Sequence, residues 1–190
     1  TLILETTFTT ADGVVRLTDF MPIRDGNPAI VRIVEGVSGR VALRMDLVAR
    51  FDYGAIVPWV QAVDPTGASP LAGIDAVGGA DGLTVRSSVP LEGHDLTTVA
   101  ELDVAAGDRH ELLAVWHPSY EPASPGFDVE EALQATHYWW ELWCSHCRYD
   151  GEWAHHVKRS LITLKALTFA PTGGIVAAPT TSLPEYLGGV

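Results

Sequence analysis

Polar and apolar residues alternate with a period of two along most of the first 120 positions. Between Gly39 and Arg50, Val41, Leu43, Met45, Leu47 and Ala49 alternate with Arg40, Arg44, Asp46 and Arg50. That pattern predicts a strand with one dry and one wet face. Leu96 to Val104 repeats it, with Leu96, Ala100, Leu102 and Val104 inward. Leu2–Phe8, Val14–Met21, Ile30–Glu35, Ile74–Val77, Thr84–Val89 and His110–Trp116 predict further strands. Asp12-Gly13, Ser38-Gly39, Asp81-Gly82 and Gly107-Asp108 carry turn chemistry between them. The fold class expected is mainly β, an antiparallel β-sandwich. Neither the βαβ rhythm of a parallel sheet nor a Gly-rich phosphate loop is found.

The period changes near Pro118. HPSYEPASPGF is proline-rich and polar and reads as a linker. Asp128 then caps a helix, with Glu131 three residues on as in a capping box. Val129, Ala132, Leu133, Thr136, Trp140, Trp143 and Cys147 follow at helical spacing. A second helix is predicted over Glu152–Phe169. Trp153, Val157, Leu161, Leu164 and Thr168 line one side, and Ile162, Ala166 and Phe169 another. The first set is expected to pack on the β region or the first helix, the second to face a surface supplied from elsewhere.

A helix so widely apolar does not close a domain. Thr1 is not a natural start, and Val190 follows Gly188-Gly189 without a capping pattern. The chain is therefore expected to be an internal piece of a longer protein. Its expected parts are a β-sandwich over 1–120 lacking its first strands, a linker and helix over 121–150, and the truncated start of a helical domain over 151–190. Alone, such a piece should be unstable or self-associate, through the apolar helix face or through an open sheet edge.

Composition narrows the function classes. Twelve basic residues stand against 24 acidic ones, a net charge of −12. Nucleic-acid binding needs clustered Lys and Arg, and no cluster is present, so no nucleic-acid partner is expected. No apolar run approaches the roughly 20 residues of a membrane span, so no membrane partner is expected. Cys144 and Cys147 lie near His146, His155 and His156. Structural zinc takes four ligands, but adjacent histidines on a helix diverge by about 100°. Packing thiols are the simpler reading; no metal and no cofactor is assigned. Two free thiols fit a reducing, cytoplasmic location.

The aromatic run Tyr138, Trp139, Trp140, Trp143 and Trp153 could stack on sugar rings, but at helical spacing tryptophans more often anchor helix packing. His94, His110 and His117 stand isolated, and the carboxylates form no paired constellation. No catalytic residue is assigned, and substrate-binding residues are left unassigned.

Three phrases resemble bacterial members of glycoside hydrolase family 15, the family of glucoamylases, glucodextranases and related trehalases. They are LTDFMP (Leu17–Pro22), ARFDYG (Ala49–Gly54) and KALTFAPTGGIVAAPTTSLPE (Lys165–Glu185). The resemblance runs over the whole chain, and the last motif is the most specific. It implies a β-supersandwich joined by a helical linker to an α/α barrel that begins with Trp153 to Phe169. It implies an exo-acting, inverting α-glucoside hydrolase whose general acid and general base, both glutamates, lie in the barrel beyond this chain. The α-glucoside would be met there, following the Thr180-Thr181 loop. Glu185 holds the acidic position after the loop's proline and is not assigned as catalytic. Two other readings stay open: a carbohydrate-binding β-sandwich without catalysis, and a zinc-dependent interaction module.

Overall fold

The computed structural model describes residues 1–23 and 26–177. The Thr180-Thr181 loop and Glu185 lie outside the described residues. Nine strands precede two helices: β1 Leu4–Thr9, β2 Gly13–Phe20, β3 Ala29–Leu47, β4 Trp59–Val63, β5 Ala72–Gly78, β6 Asp81–Ser87, β7 Glu92–His94, β8 Thr97–Ala105, β9 Arg109–Pro118, α1 Val129–Ser145 and α2 Ala154–Ala166. Every pairing between these strands is antiparallel. The mainly β, antiparallel class read from the period-two pattern is the class observed.

The strand order β1-β2-β3-β9-β6-β5-β4 makes the main sheet, and β8 and β7 continue from the far half of β3. The 19-residue β3 is the hinge of the design. Its first half pairs with β2 and β9, its second with β8. Between them, Val14 pairs Ser38 while Val15 pairs Gly36, so Val37 is an extra residue on β3. A bulge shifts the side-chain alternation by one position and bends the strand. Hence Val34 before the bulge and Val41, Leu43 and Met45 after it serve the same core. Gly39 takes φ +64 beside it, a left-handed conformation that glycine adopts without penalty. Ser38-Gly39, read as a turn, therefore follows the Val37 bulge inside a continuous strand, because a turn and a bulge ask for the same residue types.

Two apolar clusters result. One joins Val15, Val34, Val41, Ala100, Leu102, Val104 and Leu112, contributed by β2, β3, β8 and β9. The other joins Phe20, Val31, Ile33, Leu113 and Val115 on the opposite face of the main sheet, covered by Val129, Ala132 and Leu133 of α1. Odd and even positions of β9 thus feed different clusters, and Leu112 and Leu113 are both buried. Burial of each such leucine contributes about 1.5–3 kcal/mol. Asp128 Oδ1 accepts the backbone N–H of Glu131 at 2.8 Å, the cap expected from the sequence.

The described chain divides into two compact units, Leu2–Trp139 and Trp140 onwards with Thr1. In the second, Trp140 and Trp143 meet edge to face with ring centroids 6.0 Å apart. The burial expected along α2 is corrected here. Ile162 is its buried residue, whereas Trp153 and Leu164 are half exposed or more. A broad apolar surface tells that a helix wants burial, not which stripe is buried first. Among the described residues, no helix is long and apolar enough to cross a membrane.

Candidate functional site

Two places in the β unit concentrate polar and aromatic chemistry. The first is a buried seam between β5, β6, β9 and the segment after β9. Asp75 on β5 and Thr84 on β6 face each other across the ladder. Thr84 Oγ1 donates to Asp75 Oδ1 at 2.9 Å and accepts the Ser124 N–H at 2.8 Å. His117 Nε2 lies 2.9 Å from the same Asp75 oxygen, and its Nδ1 lies 2.9 Å from the Pro118 carbonyl. Both ring nitrogens therefore face acceptors, and only the doubly protonated imidazolium satisfies both. Burial pulls the His117 pKa down, but the Asp75 hydrogen bond, the Pro118 carbonyl and the charges of Asp75 and Glu121 outweigh it. The net shift is upward.

Arg86, only 2% exposed, closes the seam. Nε and Nη2 donate to Ser124 O at 3.0 and 2.9 Å, and Nη1 donates to Asp64 O at 2.9 Å and Leu71 O at 2.8 Å. Its pKa is lowered by burial, against a smaller upward pull from Asp75. One planar fork thus ties three separate backbone segments together. Gly126 completes the closure at φ +78, where an added Cβ would lie 2.7 Å from Ser69 Cβ and 2.9 Å from Arg86 Cδ. The segment read as a linker is consequently strapped to the sheet at Ser124 and Pro125, the latter through the Thr66 hydroxyl. His117, read as isolated, is corrected to a member of this network. A signal was present: Asp75 interrupts the apolar run Ile74-Asp75-Ala76-Val77, and a carboxylate inside such a run needs a partner.

The second place is an open cleft of about 380 Å³ at the rim, between the edge strand β4 and the β7–β8 hairpin. Arg50, Trp59, His94, Asp95, Leu96 and Thr97 contribute to its wall. Trp59 is 76% exposed, Leu96 is 70% exposed, and Tyr53 on the adjoining loop is fully exposed. The 51–56 loop is closed by two 3.0 Å backbone bonds between Phe51 and Ile56. Asp52 and Tyr53 within it have φ of 49° and 53°. In the hairpin, His94 pairs Thr97, and the two residues between, Asp95 and Leu96, have φ of 45° and 62°. Such a two-residue turn wants positive φ at both positions, which is why Asp-Gly or Asn-Gly is usual there. Among the described residues, these four are the only non-glycine residues with positive φ. Arg50 Nη1 reaches Leu96 O at 3.4 Å and so ties the two loops.

Leu96, expected inward on its strand, is thereby corrected to an exposed turn residue. Strands β4 and β7 were missed altogether. β4 is exposed on both faces and so shows no alternation, and β7 has three residues. Elsewhere, the Cys144 and Cys147 thiols are free. His155 stacks edge to face on His156 at 5.6 Å, and His156 lies 5.8 Å from Trp153. Among the described residues, no three His, Cys, Asp or Glu side chains come together as a metal site. Of the aromatic run, Trp140 is buried, while Tyr138 is largely exposed.

No family model matches the chain. Over 182 residues it is 31% identical to a trehalase of Thermoplasma acidophilum, covering 93% of this chain and 30% of that protein. A trehalase of Mycolicibacterium smegmatis is 30% identical over 168 residues, 85% of this chain and 24% of the relative. Trehalase 1 of Sulfolobus acidocaldarius is 27% identical over 190 residues, 98% of this chain and 30% of the relative. The chain thus spans about a third or less of the length of these relatives.

Proposed function

From a chain homologous to trehalases along 93% of its length, we propose that it is the β domain, connecting helix and first barrel helix of a trehalase-like glycoside hydrolase. The observation that carries this reading is the near-complete match of the chain to about 30% of a trehalase's length. Its resemblance to glycoside hydrolase family 15 supports the finer form: an inverting, exo-acting α-glucoside hydrolase. In that reading this segment is scaffold, and both catalytic carboxylates come from the remainder of the protein. Inversion requires a water between the two carboxyls, so they stand about 6.5–9.5 Å apart. A sandwich with two covered cores and a strapped connecting segment suits the scaffold role, because a barrel needs a rigid surface to rest on.

The test is an assay of the full-length protein on trehalose, with the glucose anomers followed by proton NMR from the first turnovers. Inversion delivers one β-glucose for each α-glucose, whereas retention delivers α-glucose alone. The 190-residue chain assayed in parallel is expected to be inactive. Hydrolysis by that chain would overturn the scaffold reading, and a full-length protein inert on trehalose and on malto-oligosaccharides would overturn the hydrolase reading.

A further inference from the structure

We propose that the rim cleft between β4 and the β7–β8 hairpin binds a glucose-type pyranoside through Trp59, Arg50 and Asp95. This goes beyond the hydrolase reading, because it assigns a saccharide contact to the β unit itself.

Three independent features converge there. The first is an aromatic surface left in water. Trp59 is 76% exposed on an edge strand, and neither apolar cluster includes it. A tryptophan contributes most when its flat apolar face is covered while its indole N–H stays reachable. The C–H face of a glucopyranose, whose hydroxyls are largely equatorial, has the shape and polarity to cover it.

The second is unspent hydrogen-bonding capacity at the same wall. Arg50 is half-buried and uses Nη1 on the Ala49 and Leu96 carbonyls. Among the described residues, its Nε and Nη2 have no acceptor, which leaves three directed N–H donors. Asp95 presents a carboxylate, with His94 Nδ1 3.3 Å from one of its oxygens. A carboxylate accepting from two neighbouring hydroxyls, with a guanidinium donating to their oxygens, matches a vicinal diol in both roles. It matches neither a phosphate, which the carboxylate repels, nor an apolar ligand, which would leave the polar groups unpaired. The volume of about 380 Å³ lies at the small end of ligand sites, which run from about 300 to 1,000 Å³.

The third is backbone strain. Two of the four positive-φ non-glycine residues, Asp95 and Leu96, line this cleft, and left-handed conformations at such residues cost of order 1 kcal/mol or more and concentrate at functional sites. Nothing in the packing of the unit requires Leu at 96 or Tyr at 53, since both side chains point to solvent.

The experiment is a proton–nitrogen NMR titration of the protein with trehalose, maltose and glucose, each raised to about 50 mM, a range that detects weak millimolar binding. The Trp59 indole signal is identified by its loss in Trp59→Phe. The expected result is a saturable shift of that signal and of the 94–97 amides. Trp59→Ala and Asp95→Asn should each weaken binding about tenfold or more at an unchanged melting temperature. Galactose, with one axial hydroxyl, should bind more weakly than glucose. The proposal is overturned if none of the three glucosides shifts the Trp59 signal. It is also overturned if the 94–97 amides stay unmoved, or if both variants shift them as the parent does. The readout involves no hydrolysis, so a failed titration leaves the hydrolase reading standing, and an inert full-length enzyme leaves this site standing.

Discussion

The buried seam and the rim cleft sit in one β unit and handle polar chemistry in opposite ways. In the seam, Asp75, Thr84, Arg86 and His117 are almost wholly removed from water, and each is matched by internal partners. In the cleft, Arg50 and Asp95 keep unused capacity, Trp59 and Leu96 face water, and the backbone at Asp95 and Leu96 is strained. A buried polar group must find a partner inside the fold, or the fold loses its full desolvation cost. An exposed one is under no such demand, so its arrangement is free to serve something outside. The difference separates polar residues that hold the structure from those available to a ligand.

Substitutions at five positions break or sharpen that contrast. Removing the Arg86 fork should be the largest: Arg86→Ala strands three carbonyls and unstraps Ser124. A loss of about 3 kcal/mol or more is expected in urea unfolding, at a cost of about 1–3 kcal/mol for each unsatisfied group. Arg86→Lys should rescue little of it, because a point charge cannot span three acceptors. An Arg86→Ala protein with parental stability would show that the seam is not what fixes the segment.

His117 comes next, and its effect depends on pH. Its folded pKa is raised, so its contribution is fully present below the unfolded value of about 6.5. It is lost as pH rises through the raised folded value. Stability should therefore fall as pH rises from about 6.5 through that raised folded value, by an amount that His117→Gln abolishes, with the variant itself about 1–3 kcal/mol less stable at low pH. A parent and variant with parallel pH profiles would refute the imidazolium assignment.

Gly126→Ala is expected to cost about 1–2 kcal/mol, from a left-handed φ and a Cβ pressed onto Ser69 and Arg86. The rim should respond in the other direction. Leu96→Gly converts Asp95-Leu96 into the turn pair the hairpin geometry prefers, and should be neutral or stabilising by up to about 1 kcal/mol. Trp59→Ala should stay within about 0.5 kcal/mol. If either rim substitution destabilised the unit by several kcal/mol, the cleft would belong to the architecture, as the seam does.

The two regions also differ in how legible they were. The strands β3 and β8 of the first apolar cluster were read directly, since Val41, Leu43, Met45, Ala100, Leu102 and Val104 alternate with positions that include Arg40, Arg44, Asp46, Glu101 and Asp103. The Asp128 cap was equally plain. His117 was passed over because its side-chain partner, Asp75, lies 42 positions away, and no local pattern joins them. The rim was illegible for another reason. β4 has no buried face to impose a period, and Leu96 completes an alternation that its own turn geometry breaks.

What the sequence determined by itself is the class of structure: period-two strands, a capped helix after a proline-rich segment, and motifs resembling a hydrolase family. These are local, because alternation, capping and turn chemistry act over two to four residues. Only the tertiary structure decided that Val37 is a bulge carrying β3 from one sheet into the next. It also decided that Arg86 clamps a segment nearly 40 positions downstream, and that Trp59, Arg50 and Asp95 share one cleft. Those outcomes depend on register between strands distant in sequence, where a shift of one residue moves a side chain from core to solvent.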